Sequence, residues 1–448
     1  WIEQLARSAD PADAALLSAL RAAAAGRPLL ALPYVTASPD ALTAAGIAEE
    51  FPHHLDRGAA VVTEHLGVPP RQSTWLSGPD LGGDGLRLLS ALGIGRALVV
   101  PEQVERVADG VLSPARPFLL APPKEAGKRP EGPDTPVKAL LTDTRIVGAL
   151  GSDAAPALVA ARSTADLAML WFEQPGTART AVVPIGPSVD PLAVVELLRS
   201  LRGGVLFRTV AIDEAFDAAA ELKDASRAPL RRSLSPTEGD DLPSDISRTV
   251  RTVRARRASV QAMVGAGTPA LADVDRHLLR ATGADLDAAV RRRELRAAQV
   301  VVDNLAAQIS APASVTITLT AREGTVPLTI RNDSGIPVSV RLNFASSKLE
   351  LPDGDERMIT LIEPITRLDI AVRTRSSGAF PFTVDITSPD GAVDLASTTY
   401  SVRSTAVSGV GLFLSLGAGL FLVVWWARHW RQSNRSRKLV AEPDATPS

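Results

Sequence analysis

Residues 326–344 read VPLTIRNDSGIPVSVRLNF. Val326, Leu328 and Ile330 alternate with polar residues or proline. Asn332-Asp333-Ser334-Gly335 then supplies turn chemistry, and Val338, Val340, Leu342 and Phe344 resume the alternation. A strand turns successive side chains to opposite faces, so each run has one apolar face, and the turn residues between them predict an antiparallel pair. The pattern extends in both directions. Val315, Ile317 and Leu319 precede it, and residues 357–362, 367–373, 380–386 and 393–402 follow. Pro352-Asp353-Gly354 and Pro389-Asp390-Gly391 punctuate these runs. About seven short strands over residues 313–403 predict an immunoglobulin-like β-sandwich. The chain has no cysteine, so the disulfide of a true immunoglobulin domain is excluded, as are thiol catalysis and cysteine-ligated zinc.

Upstream the period changes. In residues 1–223, short apolar runs at 29–33, 74–76, 97–101, 118–121, 137–142, 181–185 and 205–209 alternate with amphipathic stretches at 11–25, 85–92, 153–172 and 191–201. This βα alternation predicts a parallel sheet, and the number of strands predicts a (β/α)-barrel-like domain. Residues 224–243 are polar and rich in Pro and Ser, and read as a linker. Residues 244–311 read as helices carrying two basic clusters, Arg254–Arg257 and Arg291–Arg293, expected to be solvated faces. The expected fold class is therefore multidomain α/β plus β: a barrel-like N-terminal domain, a helical segment, a sandwich and one C-terminal transmembrane helix.

That last element rests on residues 405–427, which carry no charge. A helix of this length reaches roughly 34 Å, against a hydrocarbon core of about 30 Å. Arg428, Arg431, Arg435, Arg437 and Lys438 follow it, so the positive-inside rule expects a cytoplasmic tail at 428–448 and all earlier domains outside. Trp425, Trp426 and Trp430, with Arg428 and Arg431, would mark the membrane interface, and Gly411, Ser415 and Gly419 would form a small-residue packing face. The expected localisation is a single-pass cell-membrane protein. Its N-terminal domain is read as incomplete, with a removed signal peptide ahead of Trp1.

If the first domain is a barrel, chemistry belongs at the carboxyl ends of its strands. The residues there are Tyr34, Asp40, Trp75, Asp80, Glu102, Asp143 and Asp213. Asp40, Asp80 and Asp143 are the candidate catalytic carboxylates, and Tyr34 and Trp75 are candidate platforms for stacking a sugar. The competing reading makes such acids N-caps of the next helix, which Asp40, Asp153 and Asp213 fit. His53, His54 and His65 lack converging ligands, so no metal is expected, and no nucleotide-binding or nucleophile-elbow motif occurs. No cofactor is expected. A formal net charge of −2 without a basic stripe gives no support to nucleic-acid binding.

The order of these segments resembles a family of actinobacterial single-pass membrane proteins of unknown function. The resemblance is carried by Leu30-Ala31-Leu32-Pro33-Tyr34 with Pro39-Asp40, by Trp75 ahead of Asp80, and by Leu141-Thr142-Asp143. Ala165-Asp166-Leu167-Ala168-Met169-Leu170 with Glu173-Gln174-Pro175 adds to it, as does the run through Val402-Arg403-Ser404-Thr405-Ala406. In that family the genes commonly neighbour the lipid II flippase, which implies partners among wall-synthesis membrane proteins, or cell-wall glycan. The family usually carries an acidic residue soon after the Pro-Tyr; here Val35-Thr36-Ala37-Ser38 intervenes before Asp40. The expected function is a non-catalytic, membrane-anchored envelope protein, an accessory or scaffold for peptidoglycan precursor export or wall assembly. The alternative is a glycan-active hydrolase or deacetylase.

Overall fold

The computed structural model describes residues 1–78, 80–105, 115–123, 135–186, 189–202, 206–235, 242–312, 315–376, 378–404 and 409–436. The chain divides into two compact units. The first combines Trp1–Val253 with Asp273–Gln299, and the second combines Arg254–Ala272 with Val300–Ser448.

The first unit opens with helices α1 (Ile2–Arg7), α2 (Pro11–Ala24), α3 (Pro39–Ala44) and α4 (Glu50–Leu66). Strand β1 (Thr74–Leu76), helix α5 (Gly83–Ala91) and strands β2 (Arg96–Val99), β3 (Phe118–Ala121) and β4 (Lys138–Leu141) follow. After them come α6 (Thr144–Leu150), α7 (Pro156–Glu173), α8 (Pro191–Arg202), α9 (Ile212–Ala215) and β5 (Arg231–Ser233). The helices α10 (Ser244–Val264), α11 (Pro269–Ala281) and α12 (Ala288–Ala307) contribute residues to both units.

The sheet of this unit runs β1-β2-β4-β3-β5. Strands β1, β2 and β4 are parallel, β3 is antiparallel to β4, and β5 is parallel to β3. Strands β2, β3 and β4 are short, and their apolar runs are buried: Phe118, Leu120, Ala139 and Leu140 have no exposed surface. The barrel expected from the sequence is corrected here. A barrel needs every strand parallel and the first paired to the last, whereas β3 reverses direction and β1 and β5 remain edges. The expected strands at 29–33 and 181–185 reduce to the bridges Leu30 with Arg71 and Thr142 with Val182. At 205–209, residue 205 lies outside the described residues and the rest forms no strand. Conversely, the stretch expected as a linker supplies β5.

Strands β6 (Ile309–Ser310), β7 (Thr316–Leu319), β8 (Glu323–Asn332), β9 (Val338–Ala345) and β10 (Leu349–Glu350) belong to the second unit. So do β11 (Glu356–Leu361), β12 (Ile365–Thr374), β13 (Gly378–Thr387), β14 (Asp394–Ser404) and the helix α13 (Gly409–Ser436). The strands form two sheets, β10-β12-β8-β6 and β11-β9-β13-β14-β7. The alternation that opens the sequence analysis becomes the buried face of each: Val326, Leu328 and Ile330 on β8, and Val338, Val340 and Leu342 on β9. The turn between them is closed by Asn332. Its buried amide donates to the Ile336 and Leu361 carbonyls at 2.8 and 3.0 Å and accepts from the Ser334 N–H, while Gly335 takes φ +70°. The segment Ser388–Gly391 is tied to α10, where the Ser259 hydroxyl donates to Asp390 at 2.6 Å.

Among the described residues no helix is long and apolar enough to cross a membrane. Side chains of α13 are described from Leu414 to Trp430, and the uncharged part of that stretch ends at Ala427. The expected transmembrane helix is therefore not supported, and with it fall the single-pass membrane topology and the cell-membrane localisation. Residues 405–408, the side chains of Gly411 and Arg431, and most of the expected tail (437–448) lie outside the described residues. Ser415, Gly419 and Arg428 sit on α13, where Trp425 stacks on His429 and Trp426 on Trp430, at centroid distances of 5.6 and 5.5 Å.

Candidate functional site

Strands β2 and β4 lie in parallel register, Arg96 beside Lys138 through to Val99 beside Leu141. The ladder continues one residue further, with the Thr142 N–H donating to Val99 O at 2.9 Å and the Asp143 N–H to Val182 O at 2.7 Å. Just beyond these carboxyl ends lies a cavity of about 430 Å3. Open α/β sheets present crevices in this position, because each strand hands over to a loop there.

Each wall has a local cause. Beyond β2, Pro101–Gln103 forms a 3₁₀ turn. Buried Gln103 locks it, accepting from the Val100 N–H at 2.9 Å while its amide donates to Ser77 Oγ at 2.9 Å and to the Gly78 carbonyl. The Ser235 N–H donates to Gln103 O at 2.7 Å, tying the turn to the chain that leaves β5. This turn presents Glu102 to the cavity. Beyond β4, Asp143 caps α6, accepting from the Arg145 and Ile146 N–H groups at 3.1 and 3.2 Å. The carboxyl end of α7 supplies Leu170 and Glu173, and Thr180 and Ala181 close the far side. Glu173 is held by Arg179 at 2.5 Å, whose own side chain is almost wholly buried. The lining therefore combines apolar Leu141, Leu170 and Ala115 with Thr142, Thr144 and Thr180, of which the Thr142 hydroxyl is buried towards the Val99 carbonyl and the Thr180 hydroxyl is buried without a partner among the described residues. Among the described residues it carries three carboxylates, Glu102, Asp143 and Glu173, against one lining cation, Arg145.

Of the sequence-selected residues, only Glu102 and Asp143 reach this cavity. Asp40 does not cap its own helix, a task performed by Ser38 through the Ala41 N–H. Instead it accepts from the Gly82 and Gly85 N–H groups at 2.6 and 2.8 Å and so caps α5 from across the fold. Burial pushes its carboxyl above the usual range. The neighbouring Asp84 and Asp80 push the same way, against the two backbone hydrogen bonds. Asp80 is half-buried beside this cap. Asp213 pairs with Arg71 and, at 3.3 Å, with Arg96 at the amino end of β2.

Trp75 is 5% exposed and packs edge-on against Phe51 at 5.4 Å, so it is a core residue and not a platform for sugar. The strand alternation hides it and exposes Leu76 instead. Tyr34 is likewise committed. Its hydroxyl donates to Glu3, Arg57 pairs with the same carboxylate, and the guanidinium lies 5.8 Å from the ring centre. Burial raises the Tyr34 hydroxyl and the Glu3 carboxylate reinforces the shift. For Glu3, burial raises the carboxyl, but the Tyr34 bond and the Arg57 charge outweigh it and hold it below its ordinary value. His54 is buried with Nε2 2.8 Å from Thr282 Oγ1. No group of residues suited to a metal occurs among the described residues. Sequence reasoning missed Gln103, Thr180 and Arg179, whose roles depend on contacts between distant segments.

A protein-family model, described as a family of unknown function (DUF6049), matches residues 140–445. The chain belongs to this family. The matched region starts within β4, so it includes Asp143, Glu173 and Thr180 and leaves Glu102 outside. No curated protein matches the chain in sequence. Among solved structures, a PapD-like domain of human CEP192 is 14% identical over 23% of this chain and 88% of its own, with a TM-score of 0.17. WR4, a Caenorhabditis elegans MSP family member, is 9% identical over 20% and 92%, with a TM-score of 0.17. A CARDB domain from Pyrococcus furiosus, solved with di-metal ions, is 12% identical over 22% and 93%, again at 0.17. Likeness at this level adds nothing to the strand pairing described above.

Proposed function

We propose that this chain is a non-catalytic cell-envelope protein, an accessory or scaffold for peptidoglycan precursor export or wall assembly, which holds cell-wall glycan in the cavity beyond β2 and β4. The observation that carries the reading is the composition of that cavity. Apolar Leu141, Leu170 and Ala115 beside the polar Thr144, Glu102 and Asp143 suit a polyhydroxylated ring, whose faces are apolar and whose edges form hydrogen bonds. Two of its three carboxylates are already committed, Asp143 to the α6 N–H groups and Glu173 to Arg179, which favours holding a ligand over proton transfer to it. An origin in actinobacteria and a partnership with the lipid II flippase rest on the sequence resemblance alone. Affinity purification of the tagged chain from an actinobacterial host is expected to recover wall-synthesis proteins, the flippase among them, and soluble peptidoglycan glycan is expected to bind the purified protein. A preparation that carries neither partner nor glycan sinks the reading.

The presence of Glu102 and Asp143 on one cavity supports a second reading, a glycan hydrolase. New reducing ends released from peptidoglycan by the wild type, and not by Glu102→Gln, would establish it.

A further inference from the structure

We infer that helix α7 carries a homodimer contact: its exposed face pairs antiparallel, across a two-fold axis at Ala165, with the same face of a second copy of this chain. The inference does not depend on the glycan reading.

The helix has two unlike faces. Val159, Ser163, Leu167 and Leu170 are buried in the first unit. Leu158, Arg162, Ala165, Met169 and Phe172 form the opposite face, and all five are exposed. They are spaced four and three residues apart in alternation, which sets them in one stripe with the spacing of a seam between two helices. A stripe that met only water would be polar along its length. This one leaves Leu158, Met169 and Phe172 exposed to 47, 61 and 59%. The Phe172 ring is braced edge-on by Trp171 at 5.0 Å, so it needs little ordering on contact.

Three observations name a second copy as the occupant. The stripe is nearly palindromic about Ala165. With Ala165 set opposite itself in an antiparallel pair, Leu158 lies against Phe172 at both ends, and the small central residue lets the helices approach. A contact between identical surfaces requires such self-complementarity. The charges agree with the same register. Arg162 and Asp166 are exposed and have no ion-pair or hydrogen-bond partner among the described residues. The antiparallel register brings Arg162 of one copy to within about 3 Å, along the axis, of Asp166 of the second copy on the same edge of the pair, and the two-fold axis repeats the contact. A parallel pair would instead set each charge beside its like, which is repulsive. The third observation is area. Helix α8 packs along α7, with the Thr164 and Ser200 hydroxyls 2.7 Å apart, and adds Leu192 and Val195 at 65 and 48% exposure. At roughly 200 Å2 for a large side chain, these five apolar residues leave about 550 Å2 uncovered. A standard interface buries about 800 Å2 per partner, about 65% of it apolar in homodimers, which is close to 500 Å2.

The test is sedimentation velocity of the full chain over a dilution series. The wild type is expected to dimerise. Arg162→Asp and Asp166→Arg each place four charges of one sign along the seam, and each is expected to raise the dimer dissociation constant by about tenfold or more. The double variant Arg162→Asp/Asp166→Arg exchanges the signs and is expected to restore the dimer. Met169→Glu is expected to give monomer. These positions are exposed, and an unchanged far-UV circular dichroism spectrum verifies that the variants are folded. A second measurement leaves the charges intact. Because the chain has no cysteine, Ala165→Cys carries a single thiol, expected at the two-fold axis, and copper phenanthroline should link it into a disulfide dimer. Glu64→Cys, an exposed change on α4, should not be linked. A wild type that is monomeric at every concentration overturns the inference. So does a dimer indifferent to Arg162→Asp and Met169→Glu, a double variant that fails to restore association, or an Ala165→Cys chain that links no faster than Glu64→Cys.

Discussion

Gly58→Ala sets two effects of similar size against each other. Gly58 lies inside α4, where alanine would ordinarily stabilise a helix by about 1 kcal/mol. Its added Cβ, however, would stand 2.2 Å from the Leu32 carbonyl oxygen and 3.2 Å from both Pro33 C and Tyr34 N. The nearest of these atoms is backbone and cannot swing aside as a side chain does. The loop must retreat by about 1 Å, at an overpacking cost of about 1–3 kcal/mol. The retreat also strains the hydrogen bond from the Tyr34 N–H to His54 O, now 3.0 Å, which is worth about 1 kcal/mol. The net expectation is a loss of about 1–3 kcal/mol. Gly148→Ala is the control: Gly148 lies in α6 with nothing within 4 Å of its Cβ, so the same change there should gain up to about 1 kcal/mol. Urea unfolding followed by circular dichroism gives the stabilities, and hydrogen exchange on peptides from α4 and residues 29–35 localises the effect. Equal or greater stability in Gly58→Ala would refute the close approach of the 32–34 backbone to α4.

Asp40→Ala should cost about 1–3 kcal/mol by orphaning the Gly82 and Gly85 N–H groups, read as faster exchange at the start of α5. Because burial holds the Asp40 carboxyl above its ordinary value, the wild type binds that proton more tightly folded than unfolded. Its contribution is therefore full below the ordinary carboxylate value and lost as pH rises through the folded value, and Asp40→Asn should remove this slope from a stability profile. Asp390 has the opposite sign. The Ser259 and Ser388 hydroxyls lower its carboxyl, so its contribution is present above the ordinary value and lost as pH falls through the folded one. Ser259→Ala should cost about 1 kcal/mol near neutral pH and flatten the acid limb, as followed by urea titrations at several pH values. Trp75→Ala should cost about 3–5 kcal/mol by opening a hole against Phe51, and glycan affinity measured by calorimetry in the surviving folded fraction should not change.

The second unit was written in period-two runs, and the residues that alternate in sequence are those that alternate in burial on β8 and β9. Such a signal is local, because each strand advertises its own buried face. The first unit hid its closure. β3 and β4 read alike as apolar runs, and nothing within either run states that they pair antiparallel. Strand β5, Arg-Arg-Ser, carries no apolar run at all; its pairing with β3 comes from backbone hydrogen bonds and from Arg232 lying 5.0 Å from the centre of the Phe118 ring. Caps show the same limit. Asp40 looked like the N-cap of the helix beginning beside it, yet it serves a helix more than forty residues later. Asp143 and Glu102 could be found as acids beyond strand ends. Their different degrees of engagement could not, since these depend on Arg179, Gln103 and the start of α6.

Strand β7 is the exception in its sheet, lying parallel to β14, with Thr316 beside Ser401 and Leu319 beside Ser404. The other pairings in that sheet are antiparallel. The consequence concerns the order of synthesis. As the chain emerges from the ribosome, β7 appears early, and its partner appears only after β8 to β13 have been made. Until then β7 is an unpaired edge, open to pairing with another nascent chain, and the position Tyr400 fills is empty. A ribosome stalled or terminated ahead of residue 400 would release a sandwich missing its last strand. Chaperones that shield strand edges therefore have their period of greatest demand during the final stage of translating this unit, and expression hosts that translate this stretch slowly should give more aggregate than those that translate it fast.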